Sequence, residues 1–551
     1  MKRIFLLITF FISFLNSYSQ SPADFLWSKT MGGSGFESYG YEVFDKAAIA
    51  LSVDEKSLYV GTSSSSNDGF VNDSLGSLDC WLIKLDTQTG DTLWTKVFGG
   101  SGYEEITDVT ETADGGCIVC GFSNSMDGDF ENKGLHLSLT MPDYIYSDGF
   151  IAKFSAKGEI EWLKYYGGRP FIEETSVGID KLYKIITTKD GGYMAAGYTY
   201  SNTDDIPVDL ERFIGGWLLK VDKNGKIIHS DKFTGKNHNE SNPNTLVDII
   251  ETEENVFYAV GSQSYIIVGD GTIEFQDYIW VIKTDGVKII EEKEYGNNVG
   301  SSYPAGLTVT ESGKILVVAT AQAARGDVSQ IYGSYDIWLL KLGQNLEIDE
   351  ERNLGGTAGE YPFSIVSDKN GHYMICAYTN SEDYDAGTGV GASDFWAINL
   401  NENMDTLQTY RMGGTALDRL TDAVFSEKGD KLYVTGRTES ADGIIEASFG
   451  NGDIWVSAIN QNETISVENI STGNSIVSIY PNPSNGVFYL TNSKNSTFSI
   501  SDITGKTIKT GKIDSDSKKI DVLTFGKGVY FIEVVSETQK KSSEIKKIII
   551  N

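Results

Sequence analysis

The chain has 551 residues, with 45 Lys and Arg against 77 Asp and Glu, for a formal charge of −32. The charge is uneven: residues 20–475 carry a net −38, whereas the last 76 residues hold 11 Lys and 7 acids. So acidic a body repels nucleic acid and anionic lipid and favours cations or basic partners, although solubility outside the cell is the plainer reading. Four cysteines are too few for a disulfide scaffold.

The first 19 residues read as a secretory signal: Lys2-Arg3, an apolar run from Ile4 to Leu15, and Ser17-Tyr18-Ser19 before a cleavage point at Gln20. No later run reaches the roughly 18 apolar residues of a membrane span. The segment Leu26 to Glu37 (LWSKTMGGSGFE) then opens in the middle of a phrase that recurs along the chain. Its complete form is Asp79 to Gly102, read as a hairpin of one apolar strand, a turn closed by Gly90 and a second strand running into Gly99-Gly100. The first strand recurs around Trp81, Phe150, Trp217, Trp280, Trp338, Trp396 and Trp455, at intervals of 69, 67, 63, 58, 58 and 59 residues. The second recurs around Lys29, Lys96, Lys164, Lys232, Lys293, Arg352 and Arg411, each followed three residues later by Gly. Another strand precedes them, as in DGGCIVCGFSNS from Asp114 and DGGYMAAGYTYS from Asp190.

Seven copies of a four-strand phrase with no helical period predict an all-β fold, a seven-bladed β-propeller over residues 20–460. The orphan strand at Leu26 to Thr30 is expected to pair beside Asp453 to Asn460 and close the ring, which would remove two sheet edges. With strands lettered a to d from the inside, the a–b and c–d turns are short. The b–c connections are long: Ser63 to Leu78, Ser123 to Ser147, Ser201 to Ile214 and Ser381 to Ser393. In a meander the b–c and d–a loops emerge at one end, so that end is the expected binding face. The recurrent Lys/Arg on strand d reads as edge protection. Cys117 and Cys120 sit three apart in a strand and so point to opposite faces, as buried small apolar residues rather than a metal pair.

Residues 461–475 read as a polar linker. Residues 476–551 form short alternating strands beside Gly, Asn and Pro turns, a small antiparallel sandwich. This tail resembles the type A C-terminal sorting domain of the type IX secretion system of Bacteroidetes-type bacteria. The matching residues are Tyr480-Pro481-Asn482-Pro483, Asn485-Gly486, Asp502 with Gly505-Lys506, Gly528-Val529-Tyr530-Phe531 and the closing Lys546-Lys547-Ile548-Ile549. The resemblance implies an Ig-like sandwich that directs folded cargo across the outer membrane. It also implies handling by the secretion machinery and removal by a sortase-like peptidase, leaving cargo released or attached to the surface. The propeller resembles the bacterial seven-bladed repeats abbreviated SBBP, through the pattern visible from Trp94 to Trp162. Blades four and five depart from it at Gly296-Asn297 and Tyr303. That family is defined by architecture and implies no reaction.

Two features carry candidate chemistry. An acid follows most Gly-Gly turns: Glu37, Glu104, Glu173 or Glu174, Glu240, Glu360 and Asp418. A carboxylate ring near the channel mouth could bind a cation or basic ligand, and the alternative is that each acid accepts backbone N–H bonds in its own turn. The oxygen-rich b–c loops, such as Asn67-Asp68-Gly69, Met126-Asp127-Gly128-Asp129, Asn202 to Asp205 and Glu382 to Asp385, could hold calcium, although none has the helix-flanked spacing of a known loop. The four histidines, at 136, 229, 238 and 372, form no zinc or copper pattern. No nucleophile elbow, sialidase Asp-box or quinoprotein signature is present. The sequence thus predicts an exported propeller that binds a glycan or an extracellular protein. The alternatives are a polysaccharide-active enzyme, whose asymmetric feature would be the Met126–Ser147 insert with His136, and a structural surface protein.

Overall fold

A computed structural model describes residues 24–38, 46–136, 146–169, 179–207, 214–234, 244–269, 272–296, 301–324, 326–368, 370–461, 478–480, 487–491, 494, 496–502, 506–513, 515, 517–522, 527–536 and 543–550. The chain divides into two compact units, Met1–Gln461 and Asn462–Asn551. The signal and linker readings lie outside the described residues, apart from Gln461.

Unit one holds seven four-stranded antiparallel sheets. The first blade is Ala48–Leu51, Ser57–Ser64, Asp79–Asp86 and Thr92–Phe98. The second is Glu104–Glu111, Cys117–Ser123, Asp148–Phe154 and Ile160–Tyr166. The third is Asp180–Thr187, Tyr193–Thr199, Gly215–Val221 and Ile227–Phe233. The fourth is Asn244–Glu253, Val256–Gly269, Thr272–Thr284 and Ile289–Tyr295. The fifth is Ser302–Val309, Ile315–Ala321, Asp336–Leu342 and Ile348–Leu354. The sixth is Glu360–Ser367, His372–Thr379, Asp394–Asn401 and Thr406–Met412. The seventh takes Asp418–Phe425, Lys431–Thr438 and Asp453–Asn460 from the end of the unit and Phe25–Met31 from its start.

In that last sheet the N-terminal strand pairs antiparallel with Asp453–Asn460, with Lys29 opposite Val456 and Met31 opposite Ile454. The a strands of neighbouring blades touch in sequence order, and that of the seventh touches that of the first, so they surround the axis. The seam between blades seven and one is hydrogen-bonded, Ile49 N–H to Asp422 Oδ2 at 3.2 Å and Thr421 Oγ1 to the Ala47 carbonyl at 2.7 Å.

Period-2 alternation sends each blade's side chains into the layers on its two sides. Cys117 accordingly packs with Phe98 and Phe150 in one core cluster and Cys120 with Leu182 and Trp217 in another. All four cysteines are buried and free. The seven strand-c aromatics, Trp81, Phe150, Trp217, Trp280, Trp338, Trp396 and Trp455, are fully buried. The outer strands are stitched to the next blade. The indole N–H of Trp27, Trp94 and Trp162 donates to the carbonyls of Thr87, Ala156 and Lys223, each in the following blade's c–d turn.

The strand-d cations differ from the edge-protection reading. Lys29 reaches Asp91, Lys164 the Asn224 carbonyl, Lys293 Glu347, and Arg352 the Met404 carbonyl, all in the next blade's c–d turn. Arg411 turns inward to Asp394, and Lys232 to the Ser201 carbonyl. Blade four also departs from its siblings: its b and c strands extend as one hairpin, paired as far as Gly269 opposite Thr272.

Unit two has a three-stranded sheet (Ser478–Tyr480, Val487–Thr491, Ser517–Asp521) and a four-stranded one (Thr507–Ile513, Ser496–Asp502, Gly528–Ser536, Ser543–Ile550). The two enclose one core that includes Phe488, Leu490, Ile500, Ile520, Tyr530, Ile532 and Ile548. No α-helix occurs among the described residues, and none there is long and apolar enough to cross a membrane.

Candidate functional site on the long-loop face

The d–a turns, strand-a starts and b–c loops meet at one end of the ring, and five of the junctions repeat one polar design. At the second blade, Glu104 opens strand a and accepts Gly100 N–H at 2.8 Å, Ser123 Oγ at 3.1 Å and Ser125 Oγ at 2.5 Å. Asp79, at the start of strand c in the first blade, accepts Ser74 Oγ and the N–H groups of Leu75 and Gly76 through its Oδ2. Its Oδ1 is buried without a partner. Gly99 lies between the two acids: a Cβ there would stand 2.2 Å from Asp79 Oδ1 and 2.6 Å from Glu104 Oε2. The first glycine of the Gly-Gly signature is therefore required by the two carboxyls that close around it, and the second, Gly100, by Ser125 Cβ, which a Cβ there would approach to 2.5 Å.

The same pairing occurs as Asp453 with Glu37, Asp148 with Asp180, Asp336 with Glu360 and Asp394 with Asp418. Glu360 takes Gly356 N–H and Thr379 Oγ1, and Asp418 takes Gly414 N–H and Ser440 Oγ. Burial pushes Glu37, Glu104 and Asp180 up to about 7, and Asp336 to about 6, against the hydrogen bonds that favour the charged forms.

Four of the six acids expected on the ligand face are described, Glu37, Glu104, Glu360 and Asp418, and each is fully buried. They bind their own turns, and a ligand would reach them only by displacing those bonds. Glu173, Glu174 and Glu240 lie outside the described residues. The partner acid on strand c escaped the sequence reading, although Asp two residues before the strand-c Trp or Phe was its visible signal in five blades, with Gly215 and Tyr278 standing there in blades three and four.

The b–c loop carboxylates cap the same turns. Asp68 accepts Ser34 N–H at 2.6 Å, Asp127 accepts Ser101 N–H at 2.7 Å, and Asp383 accepts Thr357 N–H at 2.8 Å. Asp204 holds the Arg169 guanidinium. These were the calcium candidates, and among the described residues no group of three or more His, Cys, Asp or Glu is arranged to hold a metal ion.

His136 also joins the repeat. Its backbone N–H and Nδ1 both meet Asp148 Oδ2 at 2.8 Å, so it occupies the place held by Leu75, Val390 and Phe449, whose N–H groups bond Asp79, Asp394 and Asp453. Burial works against the imidazolium, but Asp148 and the nearby Asp205 and Asp204 outweigh it and raise the pKa of His136. The rest of the insert, residues 137–145, lies outside the described residues.

Around the axis, a second polar ring went unseen in the sequence. Asp108 takes Ile185 N–H at 2.9 Å and Asp248 takes Leu307 N–H at 2.9 Å, stapling strand a of blades two and four to that of blades three and five, as Asp422 does between blades seven and one. Lys184 approaches Asp108 at 3.3 Å; burial disfavours its charge, but Asp108, Asp248 and Asp422 outweigh that and raise its pKa.

Residues 478–551 match the family described as the secretion system C-terminal sorting domain. The tail is a type IX sorting domain. Of its motif residues, Tyr530 lies in the sandwich core, Gly528 pairs with Ile550, and Lys546 and Lys547 pair with Ile532 and Phe531 in the last strand. Lys506 N–H donates to Asp502 Oδ1, while Pro481, Asn482, Pro483, Gly486 and Gly505 lie outside the described residues. The sorting domain assigns the chain to the type IX machinery and hence to secretion or the cell surface.

Solved structures similar to the chain are propeller-like. They include the Neurospora crassa Pan2 WD40 domain (9% identity, covering 80% of this chain and 97% of that one, TM-score 0.40). A polysaccharide lyase of family PL25, an ulvan lyase, matches at 8% identity, covering 80% and 96%, with TM-score 0.44. PorZ, a surface component of the type IX secretion system of Porphyromonas gingivalis, matches at 11% identity, covering 92% and 70%, with TM-score 0.26. The comparison with curated proteins returns no match.

Proposed function

We propose that the exported propeller is a binding module that takes a glycan or an extracellular protein on its long-loop face, and that a sortase-like peptidase removes its tail after export. One observation carries the reading. At the turn before strand c, Leu75, Val390 and Phe449 use only their backbone N–H to hold the acid that follows. Their side chains stand 52%, 63% and 42% exposed. Folding gives no reason for large apolar side chains at those places, whereas a contact surface does. Phe449 further meets Phe70 edge-on at 5.3 Å, joining the loops of blades seven and one into one apolar spot.

The test is retention of the exported chain on panels of polysaccharides and extracellular proteins, with released oligosaccharides recorded and calcium or a chelator present. Retention without products supports a binding module, and loss of retention under chelator would add calcium to the ligand site. Release of oligosaccharides overturns the reading in favour of a polysaccharide-active enzyme. No retention on any member of the panels also overturns it, leaving a structural surface role.

A further inference from the structure

Besides the Tyr265–Tyr278 pair of blade four, tyrosines of the long-loop face cluster in one sector, where blades five, six and seven meet. The b–c loops share a position after their capping Asp that needs a positive φ. Gly69, Gly128 and Gly443 fill it in blades one, two and seven, at φ 65°, 62° and 67°. In blade six it is Tyr384, at φ 47° and 50% exposed. A bulky residue in the left-handed region is strained by roughly 1–3 kcal/mol, and glycine would fit there without strain.

The Tyr384 ring faces that of Tyr332, from the blade-five loop, with centroids 5.4 Å apart and planes at 35°. Three residues on, Tyr335 meets Tyr361 at 5.5 Å, and Tyr361 stacks on Tyr378 at 4.9 Å and 17°. The Arg419 guanidinium covers Tyr378 at 5.2 Å. Gly359 makes room for this row, since a Cβ there would stand 2.9 Å from the Tyr361 ring. Tyr361 is the second residue of its strand a, a place taken by Glu105, Lys181, Thr245 and Arg419 in blades two, three, four and seven. Blade five also has a tyrosine, Tyr303, at that place, and Phe122 and Tyr198 stand where Tyr378 does in blades two and three, so what sets this sector apart is the continuous Tyr335–Tyr361–Tyr378 row beside the strained Tyr384.

From these residues we propose that the blade five–six sector is a glycan subsite, in which Tyr332 and Tyr384 stack on sugar rings and the Tyr335–Tyr361–Tyr378 row offers further ring faces. The inference rests on the binding-module reading and names its ligand. Flat rings with hydroxyl edges suit sugars, which offer C–H faces for stacking and hydroxyls for hydrogen bonds. Charge selects among glycans. The sector carries Glu382, Asp383 and Asp385 beside Tyr384 against the single Arg419 guanidinium over Tyr378, on a propeller of net −38. Sulfated and uronate chains are therefore repelled, and the fitting ligand is a neutral or amino-sugar chain.

The experiment titrates the exported chain with hexasaccharides of β-1,4-glucose, β-1,4-mannose and β-1,4-glucosamine, with a sulfated galactan as the anionic control. Tyr384→Gly installs the residue three sibling blades carry, so it is expected to keep or raise the thermal midpoint. On the proposal it weakens the bound hexasaccharide by about tenfold, and Tyr332→Ala does the same. A neutral hexasaccharide held equally by the wild type and both variants overturns this subsite while leaving a binding module in place. Preference for the sulfated galactan overturns the charge argument and the proposal with it. If none of the glycans is held but a protein from the panel is, the sector's ligand class is wrong and the binding module stands. If nothing is held, both readings fall.

Discussion

Glu104 and Asp79 show what a single glycine–carboxyl junction does. Asp79 Oδ1 is buried with no donor, as are Glu37 Oε2, Asp394 Oδ1 and Asp453 Oδ1 at equivalent junctions. Burial first, and the neighbouring acid second, raise the pKa of Glu104, Glu37 and Asp180 to about 7 each. The sign of the linkage follows. These acids hold protons in the folded chain at pH values where the unfolded chain has lost them. The stability they give is complete below their ordinary values of 4.5 and 3.8, and is lost as pH rises through about 7. The thermal midpoint of the propeller is therefore expected to be lower at pH 8 than at pH 5.5. Relief of self-repulsion in so acidic a chain acts in the same direction. Glu104→Gln separates the two, because it removes one titrating group and barely alters the overall field. Its pH-dependent loss of stability should be smaller than that of the wild type by on the order of 1–3 kcal/mol. An unchanged dependence would place the effect in the general field instead.

At the scale of the element, the repeat made the blades legible and hid the exceptions. The recurring Trp, the Gly-Gly turns and the orphan strand at Leu26 sufficed to read seven sheets in order, because these marks recur at blade spacing with few substitutions, Phe150 for Trp and Gly296-Asn297 for Gly-Gly among them. Cys117 and Cys120 were readable from period-2 alternation alone. The hairpin extension of blade four was not read, although Gly269-Asp270-Gly271 between β-rich runs is a turn signal. The site was less legible, for a physical reason. A carboxylate near a turn looks the same in sequence whether it faces ligand or backbone, and only the strand-c partner decides which. The strand-d cations show this again, since one seven-fold signature covers two environments. Arg411 is 2% exposed against Asp394 at 0%, while Lys29 and Asp91 are 40% and 69% exposed. Arg411→Ala leaves a buried carboxylate without its cation and should destabilise the propeller by about 3–5 kcal/mol in urea unfolding. Lys29→Ala should cost about 0–1 kcal/mol. Equal costs would mean that the repeat position, not burial, sets the energetics.

For the whole molecule, the question is how an acidic ring and a basic tail divide the work. Unit one ends at Gln461, and its last sheet is completed from within, by Phe25–Met31 against Asp453–Asn460. Every sheet of the ring therefore draws its four strands from residues before 461, and each unit has a core of its own. Independent cores predict independent folding. A chain ending at Gln461 is expected to keep the propeller's thermal midpoint and its ligand retention. The sorting domain has a different task, delivery, and its match over 478–551 is what assigns the chain to the type IX machinery. In cells carrying that machinery, the truncated chain should accumulate inside the outer membrane as folded, protease-resistant protein, while the full chain reaches the surface or the medium. Fractionation with immunoblotting reads both. Truncated protein outside at the level of the full chain would show that export does not depend on the tail. Truncated protein that is unfolded inside would show that the ring needs the tail to fold, and that the two cores are not independent after all.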